Sequence, residues 1–129
     1  MSGDRRLQIL VVDDDATIAQ LVADVLTGDG YDVETAPNGL AALECIGRRA
    51  YDLILSDLRM PELDGLGLYR ELLQSRPELA RRFVFITGTS THTDYQGPLA
   101  DIAVPVLKKP FDMTELQRVA REALAVPIA

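Results

Sequence analysis

The sequence contains a single cysteine and no long apolar run, and each of these shortages excludes a class of protein. With Cys45 alone, the chain cannot form an internal disulfide, and we expect a small core residue there, because free cysteines are usually buried. The first residues, "MSGDRRLQ", contain no apolar signal region. No segment approaches the roughly 18 consecutive apolar residues of a membrane span. We therefore expect a soluble, cytoplasmic protein that does not bind membranes.

Basic side chains are scarce relative to acidic ones. The chain of 129 residues carries 13 Lys and Arg against 20 Asp and Glu, which gives a net charge of −7. Because the phosphate backbone of a nucleic acid attracts basic patches, this balance argues against nucleic-acid binding by this domain. Apolar residues, by comparison, make up 47% of the chain. That share is enough for one packed domain of this length.

Short apolar runs alternate with amphipathic stretches along the chain. The run "LQILVV" is typical of a strand buried on both faces, and the next stretch has helical spacing until Gly28 and Gly30 end it. Repetition of this alternation predicts strands at 7–12, 31–36, 51–57, 82–88 and 104–110. A helix is predicted after each strand, although the fourth, over 91–101, is weak because Gly97 and Pro98 interrupt it. Asp112 and Glu115 predict a capping box at the last helix.

Five successive strand–helix units predict an α/β fold. Strands joined by single helices pair in parallel, with right-handed crossovers. We therefore expect a doubly wound sheet of five parallel strands with helices on both faces, and the flavodoxin-like order 2-1-3-4-5 is the arrangement considered for it. In such sheets, ligands bind beyond the carboxyl ends of the strands.

The predicted strand ends carry several chemically active groups. Strand 1 is followed by Asp13, Asp14 and Asp15, and strand 3 ends in Asp57. Thr87 ends strand 4, Lys108-Lys109 end strand 5, and strand 2 ends without a distinctive residue. With strands 1 and 3 as neighbours, their carboxylates converge, and the threonine and one of the two lysines flank them.

Converging carboxylates predict a cation site. Carboxylates a few ångströms apart cannot all stay ionised without help, and oxygen ligands suit Mg²⁺, which we expect as the cofactor. A lysine and a hydroxyl beside such a centre would stabilise the oxygens of a transferring phosphoryl group. A carboxylate can also be the nucleophile, and Asp57, which stands alone, is the natural candidate. Asp15, directly before "ATIAQL", is expected to cap the first helix.

Four segments together resemble the receiver domain of two-component signalling (the CheY-like, response-regulator family). "ILVVDDD" is similar to the family's opening acidic pair, and "LILSDLRMPELDG" to its phosphoacceptor segment. "VFITG" and "VLKKPFD" resemble its threonine strand and its Lys-Pro-Phe segment. The resemblance covers residues 7–124, so we expect one receiver domain over 1–129.

The resemblance implies a role for each site residue. Asp57 would accept a phosphoryl group from a histidine kinase or phosphotransfer protein. Asp13 and Asp14 would bind Mg²⁺ together with Asp57 and the backbone carbonyl of Arg59. Thr87 would hydrogen-bond the phosphoryl group, and Lys109 would pair with it, leaving Lys108 as an extra, exposed lysine. Pro61 and Gly65 would shape the loop after the acceptor. Such a domain is a signalling phosphoacceptor that slowly dephosphorylates itself, rather than an enzyme.

The chain also departs from the family pattern. Val106 stands where members often carry an aromatic switch residue, so a signal would need another bistable element. Tyr95 is a candidate for the aromatic residue that is missing at position 106. Gly88 replaces a common alanine and leaves more room beside the phosphate. Arg59 and Thr89 are expected to reach the site and tune dephosphorylation.

The ending "VPVLKKPFD" resembles receivers attached to the C-terminus of hybrid histidine kinases, which makes the chain a candidate fragment of a longer protein. A weak homodimer is a further expectation. The downstream effector, the cognate kinase and its signal are not encoded in any pattern of this sequence.

Two alternative functions remain open. Asp13-x-Asp15-x-Thr17 fits the D-x-D-x-[TV] pattern of haloacid-dehalogenase-like phosphatases, with Asp13 as nucleophile and Asp15 as general acid. Those enzymes need a late acidic pair, whereas Asp101 and Asp112 fall in helical or capping contexts, and "SDLRMPELDG" would stay unexplained. The second alternative is a degenerate receiver that serves only as an interaction module.

Overall fold

Five parallel strands form one sheet in the computed structural model, which describes residues 6–88, 97–100 and 102–126. The sheet has the order β2-β1-β3-β4-β5, and every neighbouring pair is parallel. The predicted architecture is confirmed, including the strand order. The strands are β1 (Gln8–Val12), β2 (Asp32–Ala36), β3 (Leu53–Asp57), β4 (Phe83–Thr87) and β5 (Val106–Lys108).

The helices bounded within the described part of the chain include α1 (Ala16–Gly28), α2 (Gly39–Arg48), α3 (Gly65–Ser75), α4 (Pro77–Ala80) and α5 (Met113–Leu124). The Asp15 carboxylate accepts hydrogen bonds at the start of α1, and Asp112 and Glu115 form the expected capping box of α5. Both caps confirm the sequence prediction. In the described part of the chain, no helix is both long and apolar enough to cross a membrane.

Pro77 begins the single turn of α4, where the missing amide proton of proline has no cost. Two predicted elements match the structure only in part. β5 covers only 106–108 of the predicted 104–110, because Pro105 and Pro110 flank it and cannot donate to a strand ladder. Of the predicted fourth helix, 97–99 are helical, whereas residues 91–96 and 101 lie outside the described residues.

Apolar residues cover both faces of the sheet, as the continuous runs predicted. Alternate side chains of each strand point to opposite faces. Ile9 and Val11 pack in the layer beneath α1 and α5, whereas Leu10 and Val12 pack in the layer beneath α2 and α3. Cys45 was expected to be a core residue, but it is only partly buried, because one side packs on the second layer and it also lines an open cleft between α1, β2 and α2.

The register of the sheet brings the carboxyl ends of the central strands together. Val12 of β1 lies opposite Ser56 of β3, so the residues that follow, Asp13 and Asp57, come to the same edge. Asp57 in turn lies opposite Ile86, one residue before Thr87. The sheet itself therefore gathers residues that are far apart in the sequence.

Candidate functional site

Three carboxylates meet at the carboxyl edge of the sheet. One oxygen from each of Asp13, Asp14 and Asp57 lies within 4.8 Å of the others. Asp13 is buried, with 2% of its surface exposed, and its Oδ1 accepts a hydrogen bond from the backbone N–H of Asp15 at 2.9 Å. The other oxygen, Oδ2, is buried without a hydrogen-bond partner. A buried carboxylate oxygen with an unused lone pair fits a cation ligand.

Lys109 is the cationic side chain beside this cluster. Its Nζ lies 3.6 Å from Oδ2 of Asp13 and 3.6 Å from Oδ2 of Asp57, which are ion-pair distances beyond hydrogen-bond length. The backbone N–H of Lys109 donates to the carbonyl of Thr87 at 2.7 Å, which fixes the lysine at the end of β5. Lys108 is exposed. The structure thus brings the second lysine of the pair, and not the first, to the carboxylates.

The electrostatics of the cluster favour an added cation. The pKa of Asp57 is raised to about 6. Burial is the main cause, Lys109 opposes it, and the charges of Asp13 and Asp14 add to it. Burial also raises the pKa of Asp13, against the opposing effects of the Asp15 backbone hydrogen bond and Lys109. One lysine beside three carboxylates leaves negative charge uncompensated. Because the donors are all oxygens, a hard divalent cation such as Mg²⁺ fits the site.

Thr87 lies at the same edge, where its hydroxyl is engaged by the neighbouring backbone. It is fully buried, and its hydroxyl donates to the carbonyl of Gly88 at 3.1 Å. A rotation about its side-chain bond would redirect the hydroxyl. At Gly88, an added Cβ would meet nothing within 4 Å, so the space that the glycine was expected to leave is present.

The third aspartate of the run has a separate role. Oδ1 of Asp15 accepts from the backbone N–H groups of Thr17 and Ile18, at 3.0 and 3.2 Å. These hydrogen bonds make Asp15 the cap of α1, as its place before "ATIAQL" predicted. Asp112 caps α5, and Asp101 lies outside the described residues.

The remaining predicted residues are placed as follows. Arg59 lies in the loop between β3 and α3 with its side chain exposed, and Pro61 is exposed in the same loop. Val106 is partly buried and packs against the layer beneath α2 and α3. Thr89 and Tyr95 lie outside the described residues.

Gly65 allows the start of α3 to pack on β3, the strand that ends in Asp57. Its N–H donates to the carbonyl of Leu58 at 2.9 Å, and an added Cβ would lie 2.3 Å from the carbonyl oxygen of Asp57. Only glycine tolerates that approach. The resemblance implied that Gly65 shapes this loop, and the close contact supplies the physical reason.

The turn after β2 is predicted by "PNG", but its contact with the candidate site is not. Asn38 and Gly39 hydrogen-bond the loop that follows Asp57, although strand 2 has no catalytic group at its end. The sequence did contain a signal: "PNG" directly follows an edge strand and places a capping asparagine before a glycine. That signal identifies a turn but does not reveal its contact partner.

A separate cleft of about 670 Å³ lies away from the carboxylates, between α1, β2 and α2. Three of the polar side chains that line it are paired with one another. The Tyr51 hydroxyl donates to Glu34, and Arg49 pairs with the same carboxylate. Burial and this hydrogen bond raise the pKa of Tyr51. A smaller cleft, of about 170 Å³, adjoins Asp13 and Asp14.

Comparison with known proteins adds an independent finding. The family described as the response regulator receiver domain matches residues 9–121. The transcriptional regulatory protein ZraR of Klebsiella oxytoca is 38% identical over 125 residues, which are 97% of this chain and 28% of that protein. The DNA-binding transcriptional regulator NtrC of Escherichia coli is 32% identical over 91% of this chain and 24% of that protein. The chain thus spans about a quarter of the length of these curated relatives.

Solved structures that resemble this chain are also response regulators or their receiver domains. The receiver domain of NtrX from Brucella abortus is 35% identical with a TM-score of 0.83, over 92% of this chain and 99% of that one. A putative response regulator from Chloroflexus aurantiacus is 29% identical with a TM-score of 0.84, over 95% of this chain and all of that one (100%).

Proposed function

The chain belongs to the response regulator receiver domain family, and on that premise we propose that Asp57 is the residue that accepts the phosphoryl group. Membership makes the chain a phosphoacceptor of two-component signalling. The observation that carries the assignment to Asp57 is its position: its side chain is 13% exposed, lies beside two further carboxylates and is 3.6 Å from a lysine ammonium.

The transfer step follows from the chemistry of these groups. A carboxylate oxygen of Asp57 attacks phosphorus, and a P–O bond forms while the P–N bond of a phosphohistidine breaks. The imidazole nitrogen leaves with the electron pair and takes up a proton from solvent. With a pKa of about 6, Asp57 is mostly ionised at neutral pH and so is available as the nucleophile.

Mg²⁺ is proposed as the cofactor, held by Asp13, Asp14, Asp57 and the backbone carbonyl of Arg59. When bound, it would neutralise charge on the phosphoryl oxygens. The fit rests on the buried Oδ2 of Asp13, which accepts no hydrogen bond, and on the all-oxygen donor set. Lys109 neutralises part of the charge in the same region and is positioned to pair with a phosphoryl oxygen. Thr87 can supply a hydroxyl donor after rotation away from Gly88.

The wider role is also part of the proposal. The donor would be a histidine kinase or a phosphotransfer protein, and the phosphorylated form would change its interactions with a partner before slow self-dephosphorylation. The domain would act on itself and not on a separate substrate. The two curated relatives described above are named transcriptional regulators. An effector domain beyond this chain is therefore the favoured output, and the hybrid-kinase origin stays a prediction.

An intact-mass measurement tests the assignment. The chain is incubated with Mg²⁺ and acetyl phosphate or a phosphoramidate. We expect one phosphoryl adduct on the wild-type chain and none on Asp57→Asn. Asp15→Asn is the matched control and should keep the adduct, because asparagine caps a helix as well as aspartate does.

The other outcomes separate the alternatives. An adduct that survives Asp57→Asn but disappears in Asp13→Asn would indicate the phosphatase-type nucleophile. A wild-type chain that takes up no phosphoryl group under any condition would favour the interaction module.

A further inference from the structure

The turn after β2, formed by Pro37, Asn38 and Gly39, touches both acidic elements of the site. On one side, the carbonyl of Ala36, directly before this turn, accepts a hydrogen bond from the backbone N–H of Asp13 at 3.1 Å. On the other side, the turn contacts the loop that follows Asp57. An element without a reactive group therefore links the two strands that supply the carboxylates.

Two hydrogen bonds join the β2–α2 turn to that loop. The N–H of Gly39 donates to the carbonyl of Leu63 at 3.1 Å, and Nδ2 of Asn38 donates to Oε2 of Glu62 at 3.2 Å. The other end of the Asn38 amide is also used, because its Oδ1 accepts from the N–H of Ala41 and caps α2. Asn38 thus fixes the start of α2 and holds Glu62 with a single side chain.

The β2–α2 turn and the loop approach each other closely, and one residue of the loop has an unfavourable backbone conformation. An added Cβ at Gly39 would lie 2.4 Å from the carbonyl oxygen of Leu63, so the two backbones meet where only glycine fits. Glu62 has a φ of 68°, in the left-handed region that non-glycine residues rarely adopt. Such a conformation persists only where the surroundings hold it. The Asn38 hydrogen bond is one of the contacts that hold it.

The loop between these contacts contains Arg59. It leaves the sheet at Leu58, and the N–H of Gly65 closes it by donating to the Leu58 carbonyl at 2.9 Å. Met60 is buried and anchors the inner side of the loop. The outer side is held by the β2–α2 turn. The position of the Arg59 carbonyl therefore depends on contacts on both sides of the loop.

We propose that Asn38 is a positioning residue for the phosphorylation site, acting through Glu62 on the loop that presents the Arg59 carbonyl. This inference rests on the proposed function, because it concerns how the same cation site is held. Asn38 itself touches neither the cation nor the phosphoryl group. Without its hydrogen bond, Glu62 is free to leave the left-handed region, and the loop loses its fixed path over the site.

Replacing Asn38 by aspartate is the direct test. Asn38→Asp keeps the cap of α2, since aspartate and asparagine cap equally well, but it sets a carboxylate against Glu62. We expect the Mg²⁺ dissociation constant, followed by amide chemical shifts, to rise about three- to tenfold, as loss of one hydrogen bond implies. The added negative charge by itself would strengthen cation binding, so a weakening reports the lost position of the loop.

A polarity swap and a matched control complete the experiment. Asn38→Asp combined with Glu62→Gln reverses donor and acceptor and restores the wild-type net charge, so Mg²⁺ affinity should return. Gln117→Glu makes the same amide-to-carboxylate change against Asp29, whose Oδ1 accepts from Gln117 at 2.9 Å far from the site. Its Mg²⁺ affinity should equal that of the wild type.

Amide hydrogen exchange without Mg²⁺ gives a second readout. The Gly39 N–H should exchange faster in Asn38→Asp and slowly again in the double variant. If the wild-type chain binds Mg²⁺ and Asn38→Asp binds it equally well, the positioning role is refuted while the proposed function stands. A wild-type chain that takes up neither Mg²⁺ nor phosphoryl group refutes the proposed function, and this inference with it.

Discussion

Three consecutive aspartates have three different surroundings. Asp13 is buried beside Lys109, Asp14 is exposed at the edge of the carboxylate cluster, and Asp15 caps α1. A fourth aspartate, Asp57 on β3, has a pKa raised to about 6. At the scale of single residues, burial and neighbouring charge separate these roles, because the side chains themselves are identical.

The raised pKa of Asp57 predicts how stability depends on pH when Mg²⁺ is removed by a chelator. The folded-state pKa of about 6 lies above the ordinary value of 3.8. Asp57 therefore contributes stability that is fully present below the ordinary value and is lost as the pH rises through about 6. At pH near 7.5, Asp57→Asn should raise the free energy of unfolding by about 2 kcal/mol, measured by urea denaturation.

The same comparison at acidic pH is the check on this prediction. The advantage of Asp57→Asn should vanish when the pH approaches about 4, where the wild-type carboxyl is protonated in the folded chain. Asp24→Asn, at an exposed site on α1, should leave the unfolding free energy nearly unchanged at both pH values. An equal gain from the two variants would contradict a specific effect of burial at Asp57.

The two adjacent lysines provide a second residue-scale prediction. Lys109 lowers the pKa of both Asp57 and Asp13, so Lys109→Met should move the Asp57 pKa above its value of about 6. Lys108→Met should leave it unchanged, because Lys108 is exposed and away from the carboxylates. Carboxyl carbon shifts followed by NMR over a pH titration distinguish the two. Equal effects would mean that either lysine reaches the cluster.

Glycines decide how the elements approach one another at the site. Gly65 begins α3 directly over the Asp57 carbonyl, and Gly39 begins α2 directly over the Leu63 carbonyl. Both helices therefore start in contact with the strand or loop that carries the acceptor. At the scale of elements, these two backbone contacts, one from α3 and one from α2, hold the loop between β3 and α3 in place.

Two glycine-to-alanine substitutions should have opposite effects on stability. Gly65→Ala places a Cβ 2.3 Å from the Asp57 carbonyl oxygen, and we expect a loss of about 2–3 kcal/mol, as for an overpacked core. Gly47→Ala, in α2 with nothing within 4 Å of the new Cβ, should gain about 0.5–1 kcal/mol from helix propensity. Urea denaturation of both variants provides the measurement. A neutral Gly65→Ala would show that α3 can shift without cost.

At the scale of the whole molecule, the sheet connects the site to distant surfaces. Thr87 and Lys109 belong to the β4 and β5 side, where the Lys109 N–H bonds the Thr87 carbonyl. Val106, on the same side, is not aromatic, so rotation of an aromatic ring cannot transmit the signal from that position. A change at the phosphoryl site would reach the surface through β4, β5 and the segments attached to them.

Amide shift mapping tests this direction of transmission. Addition of beryllofluoride with Mg²⁺, as a mimic of the phosphoryl group, should shift amides at the ends of β4 and β5 as well as those around Asp57. Asp57→Asn under the same conditions should show no such shifts. Changes confined to α1 and α2 would contradict transmission through Thr87 and Lys109.

Local patterns in the sequence determined the elements and their caps. Continuous apolar runs predicted the buried strands, and short-range hydrogen-bonding residues predicted the caps at Asp15 and Asp112, because each depends on neighbours a few residues away. The same runs, joined by single helices, predicted a parallel, doubly wound sheet, whereas its strand order came from the flavodoxin-like pattern and not from the runs. The sequence also identified which strand ends carry carboxylate, hydroxyl and ammonium groups.

Only the tertiary structure decided how those groups are surrounded. The family resemblance had already implied Lys109 rather than Lys108, and the structure adds the distance of 3.6 Å between Lys109 and Asp57. The burial that raises the pKa of Asp57 and the hydrogen bond from Asn38 to Glu62, 24 positions apart, arise from residues that are distant in the sequence. Such contacts depend on strand register and on how closely two backbones approach, and no local pattern encodes either. The left-handed Glu62 has the same origin, since a glutamate keeps that conformation only when distant neighbours hold it.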